Sequence, residues 1–337
     1  MITTAANQLN APSGPLRLGR LELGVPFFMA PLSGYSDRAM RALARRFGSP
    51  LCLPGVMLDT TTINPKVIRK GINAIPEGDH PIGGQIMGHD PATMAAAAAE
   101  LEKLGYDLID LNFACPVPKV LRRGRGGCLM SRPGNLLAIY EAVREKVSCP
   151  VTMKLRTGFD SDETSRAFFW EVCERAIAGG VDALAVHGRT VLQRYKSFPD
   201  WTVPAELKRR YPEATIIGSG NLFNARTAWK RLTESGVDGV LIARGAIGNP
   251  WIFSELHALA AGRETPEPPS VAEQAEVITT HYEMMRSDYQ EGKAVGLFRK
   301  FTIQYARRHP QKNDVGRALM AATSDAELFA TMDQWYR

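Results

Sequence analysis

A glycine, any residue, an aspartate and then an alternating or continuous apolar run: this phrase occurs three times in the chain, as Gly105-Tyr106-Asp107 before "LIDLN", Gly180-Val181-Asp182 before "ALAVH" and Gly236-Val237-Asp238 before "GVLIAR". A glycine just past a helix supplies the left-handed cap that ends it. A short apolar run without polar alternation is what a strand buried on both faces of a parallel sheet requires. A helix-to-strand junction repeated in this way points to a parallel α/β fold. Other apolar runs fall between and around the three. Pro26 opens "FFMAP", Pro81 opens "IGGQI", Pro150 opens "VTMKLR", "ATIIGSG" follows Pro212, and "LCLPGVM" near residue 51 brings the number of short runs to eight.

Helical stretches separate most of them. Asp90-Pro91 followed by "ATMAAAAAELEKLG" carries an N-cap, a proline at the first helical position, an alanine-rich body and a glycine terminator. "NLLAIYEAVREKV" places Leu136, Tyr140, Val143 and Val147 on one face, as a helix covering a sheet should. Eight βα units within roughly 240 residues predict a TIM (β/α)8 barrel more naturally than an open doubly wound sheet. No Gly-x-Gly-x-x-Gly opens a helix, so a dinucleotide-binding domain finds no support. "GRETPEPPS" has the composition of a linker, and the stretch after it shows helical periodicity only. The expected organisation is a barrel over 1–262, a linker over 263–270 and a small all-α helical domain over 271–337.

The totals add limits. A length of 337 residues, 45% hydrophobic and 23% charged, suits a soluble globular enzyme. Forty-one Lys and Arg against thirty-five Asp and Glu give a net charge of +6, which permits a polyanionic partner without demanding one. Five cysteines, an odd number with no Cys-x-x-Cys pair, argue against a disulfide framework or a metal site. The N-terminal "MITTAANQLNAPSG" has neither a basic nor an apolar leader region, and no run is long enough to cross a bilayer. A cytoplasmic protein without a membrane or DNA partner is expected.

In a TIM barrel the chemistry sits at the C-terminal ends of the strands. Here those ends carry Met29-Ala30-Pro31, Gln85, Asn112, Lys154 with Arg156, His187, Ser219-Gly220-Asn221 and Arg244-Gly245. Amides, an ammonium, an imidazole and guanidinium groups converge, and no acid pair appears among them. That set suits a planar, electron-rich, phosphorylated ligand: lysine and amides can bond the carbonyls and ring nitrogens of a flavin and stabilise its reduced form. Gly220, Asn221, Arg244 and Gly245 would take the phosphate where such barrels hold it, after strands 7 and 8. Flavin mononucleotide (FMN) is the inferred cofactor. Taken singly, each residue has a plainer explanation: His187 as a satisfied core histidine, Lys154 and Arg156 as a solvated strand end, the glycines as turn formers. Their shared position at strand termini is what favours a site.

Cys115 stands three residues beyond Asn112, in the loop after the fourth strand. Cys52, Cys149 and Cys173, inside or beside apolar runs, read as small buried hydrophobes. A loop thiol, protonated at neutral pH, can instead deliver a proton to a reducible substrate. Cys128 is a weaker candidate in the same loop. From Phe113 to Asn135 the chain carries Lys119, Arg122, Arg123, Arg125 and Arg132 and no acid, and Gly292 to Asn313 carries six Lys and Arg, again with no acid. Two such stretches fit a long polyanion crossing both. Phe298, Phe301 and Tyr305 in the second, at helical spacing, read as core.

These residues stand in motifs that resemble the tRNA-dihydrouridine synthases of bacterial type: "MAPLSGYSD", "GGQIMG", "DLNFACPVPKV" followed by "GRGGCLM", "VTMKLRTG", "VHGRT" and "IARGAIGNPWIF", in order along nearly the whole chain. "GKAVGLFRKFTIQYARRHP" is similar to the helical tRNA-binding domain of that family. The resemblance implies an FMN enzyme that uses NADPH to reduce the C5=C6 bond of a tRNA uridine, with hydride passing from flavin N5 to C6 and a proton from Cys115 to C5. It implies Asn112 and Arg156 at the uracil, and Gln85, Lys154 and His187 at the flavin ring. Three positions depart from the family pattern: Ala114 replaces a glycine before the cysteine, Ser219-Gly220-Asn221 replaces Asn-Gly-Asp, and Leu32 replaces a methionine. Two other activities compete: a flavin barrel acting on a free pyrimidine, similar to dihydroorotate dehydrogenases, and a non-catalytic RNA-binding protein.

Overall fold

A computed structural model describes residues 14–289 and 292–337, so the expectation about the N-terminal leader falls on residues 1–13, outside the described residues. An antiparallel hairpin comes first, β1 (Leu16–Leu18) and β2 (Leu21–Leu23). The barrel strands follow: β3 (Phe27–Met29), β4 (Met57–Leu58), β5 (Gly83–Met87), β6 (Leu108–Asn112), β7 (Val151–Arg156), β8 (Ala183–His187), β9 (Ile216–Ser219) and β10 (Gly239–Ile242). They form one eight-stranded sheet in the order β3-β10-β9-β8-β7-β6-β5-β4, and every neighbouring pair is parallel. Cys52 closes the ring by bridging Met29 on one side and Ile82 on the other. The fold is a TIM barrel.

Helices α1 (Arg38–Arg46), α2 (Asp59–Thr62), α3 (Pro65–Arg69), α4 (Pro91–Lys103), α5 (Pro118–Leu121), α6 (Pro133–Lys146), α7 (Glu163–Ala178), α8 (Thr202–Arg210), α9 (Ala225–Ser235) and α10 (Trp251–Ala260) lie between and after the strands. The second unit departs from expectation. "LCLPGVM" is not one strand: Cys52 makes its bridges alone, Pro54 and Gly55 interrupt the pairing, and only Met57–Leu58 resumes it. The hairpin is an addition that sequence reading passed over. Its Leu16, Leu18 and Leu23 pack with Leu53, Leu108, Ala183, Ile217 and Leu241 in the apolar cluster that fills the barrel interior. Alternate strand residues, such as Ile109, Leu111, Leu184, Val186 and Ile242, belong instead to the larger cluster shared with the helices, as the period of two along a strand requires.

The repeated Gly-x-Asp has a structural cause. Gly105, Gly180 and Gly236 adopt φ of 95°, 76° and 68°, the left-handed region open to glycine. Each aspartate then reaches across to the preceding odd-numbered strand. Asp107 accepts from Ile82 N at 2.6 Å, Asp182 from Val151 N at 2.7 Å and Asp238 from Ile216 N at 2.8 Å. Backbone N–H groups of the same three aspartates donate back to the carbonyls of Ile82, Val151 and Ile216. The phrase therefore ends a helix, satisfies a buried donor at the bottom of the barrel and sets strand register in one step.

Residues 263–270 carry neither helix nor strand. Beyond them come α11 (Val271–Asp288), opened by a capping box of Ser270 and Glu273, then α12 (Lys293–Ala306), α13 (Lys312–Ala321) and α14 (Asp325–Trp335). These helices are fused to the barrel. Ile247, Trp251 and Phe253 share one continuous apolar cluster with Phe298, Phe301 and Tyr305. A Cβ at Gly248 would lie 2.8 Å from Tyr305 N and 3.0 Å from Phe301 O, so only glycine lets the loop after β10 approach α12 this closely. Arg308 donates to Asn249 Oδ1 at 2.6 Å and pairs with Glu255 at 2.7 Å, and Arg38 pairs with Asp288 at 2.7 Å.

Candidate active site

A cavity of about 750 Å³ opens at the C-terminal ends of the barrel strands. Its wall includes Ala30, Pro31, Gln85, Asn112, Cys115, Lys154, Arg156, His187, Ser219, Gly220, Asn221 and Arg244, so the strand-end residues do meet in one place. Two of the expected residues lie off this wall. Gly245 is buried behind it, where a Cβ would collide with the carbonyl of Leu222, and Lys119 is exposed on α5. Sequence reading missed Ser33, Tyr35, Val117, Tyr195 and Phe223, which come from loops, and Gln304 and Arg307, which α12 brings to the mouth. Nothing in a strand-end pattern marks such residues; the charge of Arg307, within the second basic stretch, was the only signal.

The wall holds no carboxylate among the described residues, and its cations crowd one another. Lys154 donates to Ser219 Oγ at 3.0 Å, and burial, helped by Arg156, pushes its ammonium down to about 7 against the opposing pull of Asp110. Ser219 thus serves as the lysine's partner at a position where the family pattern has asparagine. Burial likewise pushes Arg156 down to about 10. Its Nε donates to Ala114 O at 2.8 Å and one terminal nitrogen to Thr190 O at 2.9 Å, which orients the guanidinium. Burial, followed by Lys154, Arg156, Arg189 and Arg244, pushes His187 down to about 2, so its ring is neutral.

Two buried atoms here have no partner among the described residues: His187 Nδ1 and a terminal nitrogen of Arg189. Arg189 Nη2 and Arg244 Nη2 both donate to Asn221 Oδ1, at 3.1 and 3.3 Å, and Asn221 sits at φ 53° next to Gly220 at φ 130°. Arg244 also lies over the rings of Tyr195 and Phe223, at 4.5 and 4.8 Å. Orphaned buried polar atoms beside clustered cations call for an anionic group that accepts hydrogen bonds. A phosphorylated, carbonyl-rich planar cofactor such as FMN fits that donor set.

Cys115 is half-buried on the cavity wall, and burial pushes its thiol above the ordinary range although the Val117 N–H and Arg156 oppose this. Its loop is fixed from two sides. Asn112 Oδ1 accepts from the N–H groups of Ala114 and Cys115 at 3.1 and 3.0 Å, and Gly127 N donates to Cys115 O at 3.0 Å. Added Cβ atoms would come within 2.9 Å of Cys115 Cβ from Gly126, whose φ is 56°, and of Cys115 O from Gly127. The pair of glycines in "GRGGC" exists to let one loop lie against the thiol. Cys128 is half-buried but off the wall, and Cys52, Cys149 and Cys173 are buried.

The basic stretches divide into free and engaged side chains. Arg125 faces buried Asp59 at 3.6 Å and His89 at 3.4 Å, while Lys119, Arg122, Arg123 and Arg132 are exposed. In the second stretch Arg299 donates to Ala322 O at 2.7 Å, Lys300 lies 3.8 Å from Asp37, and Arg308 is held by Asn249 and Glu255. Lys293, Arg307 and Lys312 remain exposed, and Phe298, Phe301 and Tyr305 are buried core.

Comparison with known proteins identifies the family. The family model described as "Dihydrouridine synthase (Dus)" matches residues 28–336. A probable tRNA-dihydrouridine synthase of Mycobacterium tuberculosis is 32% identical over 334 residues, covering 96% of this chain and 85% of the relative. The tRNA-dihydrouridine synthase B of Xanthomonas axonopodis pv. citri is 33% identical over 325 residues, covering 94% and 95%. Among solved structures, morphinone reductase in complex with tetrahydroNAD superimposes with a TM-score of 0.56 at 18% identity, over 77% of this chain and 93% of that one. Histamine dehydrogenase from Rhizobium sp. 4-9 superimposes with 0.57 at 16% identity, over 82% and 51%, and both likenesses concern the fold. With the family model spanning the barrel and the helices after it, the chain belongs to the dihydrouridine synthase family of enzymes.

Proposed function

We propose that this chain holds FMN in the barrel mouth and, with NADPH as reductant, reduces the C5=C6 bond of a uridine in tRNA to 5,6-dihydrouridine. One observation carries the reading: a single half-buried thiol, Cys115, shares a cavity wall with amides and cations and with no carboxylate. Bound there and reduced, FMN would supply hydride from N5 to uracil C6. Gln85, Lys154 and the neutral ring of His187 would hold the flavin ring. Gly220, Asn221 and Arg244, with Arg189 behind them, would take its phosphate and ribityl chain. Asn112 and Arg156 flank Cys115 and would grip the uracil. The thiol, kept protonated by burial, delivers its proton to C5.

The uridine must leave its stack to enter, at a cost of a few kcal/mol that a looped, already unstacked segment of tRNA lowers. The exposed cations Lys119, Arg122, Arg123 and Arg307 are placed to hold the flanking phosphates, with helices α11–α14 forming the second half of the tRNA surface. The site of action is then the cytoplasm, where tRNA is matured.

The test uses the full chain loaded with FMN and reduced with NADPH, offered tRNA lacking dihydrouridine, free uridine or orotate. Dihydrouridine formed only in tRNA is the expected result. Turnover confined to the free pyrimidine would overturn the assignment in favour of a small-molecule reductase, and a colourless chain that binds RNA without reducing it would replace it with the non-catalytic reading.

A further inference from the structure

Beneath the cavity, off its wall, a buried carboxylate heads a chain of hydrogen bonds that ends at the thiol loop. Asp110 is 5% exposed on β6. Its Oδ1 accepts from Thr152 Oγ1 at 2.7 Å and its Oδ2 from Gln85 Nε2 at 2.6 Å. Gln85 Oε1 accepts from Asn112 Nδ2 at 2.8 Å, and Asn112 Oδ1 accepts from Ala114 N and Cys115 N. An ionised carboxylate can only accept, and a backbone N–H can only donate. The two ends of the chain therefore impose the same orientation on both amides between them, and reversing either one would set donor against donor or leave acceptors facing.

We infer that Asp110 is a positioning residue that fixes which way the Gln85 and Asn112 amides face, so that each has an N–H group to offer a ligand in the cavity. Each amide nitrogen carries two hydrogens, and one on each is used inside the chain. The second is free for the cavity, while Asn112 Oδ1 is spent on two backbone N–H groups and Gln85 Oε1 is held towards Asn112. A wall with this polarity accepts an edge of carbonyl oxygens, as on the pyrimidine-dione ring of a flavin or on uracil, and disfavours an exocyclic amino group such as that of cytosine. Lys154, the charged group nearest Asp110, adds a third donor of the same sense. Asp110 itself touches no ligand. Its effect passes through Gln85.

This inference rests on the reading of the cavity as a flavin and uracil site, and a double-mutant cycle separates the two. In the full chain, Asp110→Asn supplies an amide that can either donate to or accept from Gln85, so the imposed orientation is lost. FMN affinity, measured by fluorescence quenching, should fall about tenfold, the equivalent of about 1.4 kcal/mol. In a Gln85→Met background the same substitution should change affinity less than about twofold, because the link is already cut. An equal loss in both backgrounds would mean that Asp110 acts by charge or by supporting the fold, and no loss in either would remove its role; both overturn the inference. If the unaltered chain takes up no FMN, the flavin reading fails instead.

A second measurement needs neither cofactor nor a folded Asp110→Asn variant. In ligand-free chain labelled with 15N-glutamine, the Gln85 side-chain amide, assigned by its loss in Gln85→Met, should titrate together with the Asp110 carboxyl, which burial pushes up to about 6 while Gln85, Thr152 and Lys154 oppose the shift. A Gln85 signal that stays flat while Asp110 titrates would overturn the inference even if Asp110→Asn does not fold.

Discussion

A thiol that serves as an acid must stay protonated until its substrate arrives, and burial pushes the Cys115 thiol above the ordinary range, as the proton-donor role proposed for it requires. The raised value sets the sign of the pH dependence. If Cys115 is the proton donor, the rate of uridine reduction should fall as pH rises through a value above the ordinary thiol range, giving an alkaline limb. Cys115→Ala should leave FMN bound, lower the rate about 10²- to 10⁴-fold and erase that limb; a pH profile of single-turnover reduction checks all three, and full residual activity would assign the acid elsewhere. Lys154 titrates lower, at about 7. While charged it favours a reduced, anionic flavin. Lys154→Met should therefore lower the midpoint potential of bound FMN, and the difference from the unaltered chain should shrink as pH rises past about 7. A gap independent of pH in a redox titration would mean that another group supplies the charge. At this scale the polar residues that end strands were legible in the sequence because barrel geometry sends strand ends to one place. Tyr195, Phe223 and Arg307 were not, because loops and α12 obey no such rule.

Three Gly-x-Asp junctions do for the barrel elements what no single contact could, and each can be tested alone. Asp182 accepts from Val151 N and pairs with Arg144 at 3.1 Å. Asp182→Ala leaves a buried backbone donor unmatched and should cost about 2 kcal/mol in urea unfolding, with little change in the cavity at the opposite end of the strands. Gly126→Ala should behave in the reverse way. A methyl group there meets Cys115 Cβ and needs a backbone at φ 56° that alanine tolerates poorly, so stability should drop by only about 1 kcal/mol while uridine reduction falls with the displaced thiol. Comparing melting midpoints with turnover for the two variants checks this division. The same junctions explain why eight βα units could be recognised from sequence: cap, register bond and buried strand are local and repeat. Only the break in the second run escaped, because Cys52 pairs by two single bridges, which leave no periodic trace. The hairpin Leu16–Leu23 did alternate, and its leucines fill the barrel interior from below. A two-stranded piece of three residues a side is simply too short to stand out.

Across the whole molecule the charge of +6 is unevenly used. Counting basic residues in the second stretch overstated its reach, because sequence shows neither Asp37 nor Glu255 folding back onto Lys300 and Arg308. The shared core between barrel and helices has a further consequence: removing 271–337 would uncover Trp251 and Ile247, so a truncated chain cannot report on RNA binding alone. Charge reversal in the full chain can. Lys119 and Arg307 are both exposed, the first on α5 and off the cavity wall, the second on the wall at the end of α12. If tRNA spans both, Lys119→Glu and Arg307→Glu should each weaken tRNA binding and reduce the slope of log affinity against log salt by about 1, roughly additively since they share no partner. FMN content should stay unchanged in Lys119→Glu, which lies off the cavity wall. Arg308→Ala should do something different. Its guanidinium already bonds Asn249 and Glu255, so the loss should fall on thermal stability and leave the salt slope as it was. A slope that ignores Lys119 and Arg307 yet follows Arg308 would mean that the polyanion approaches from elsewhere.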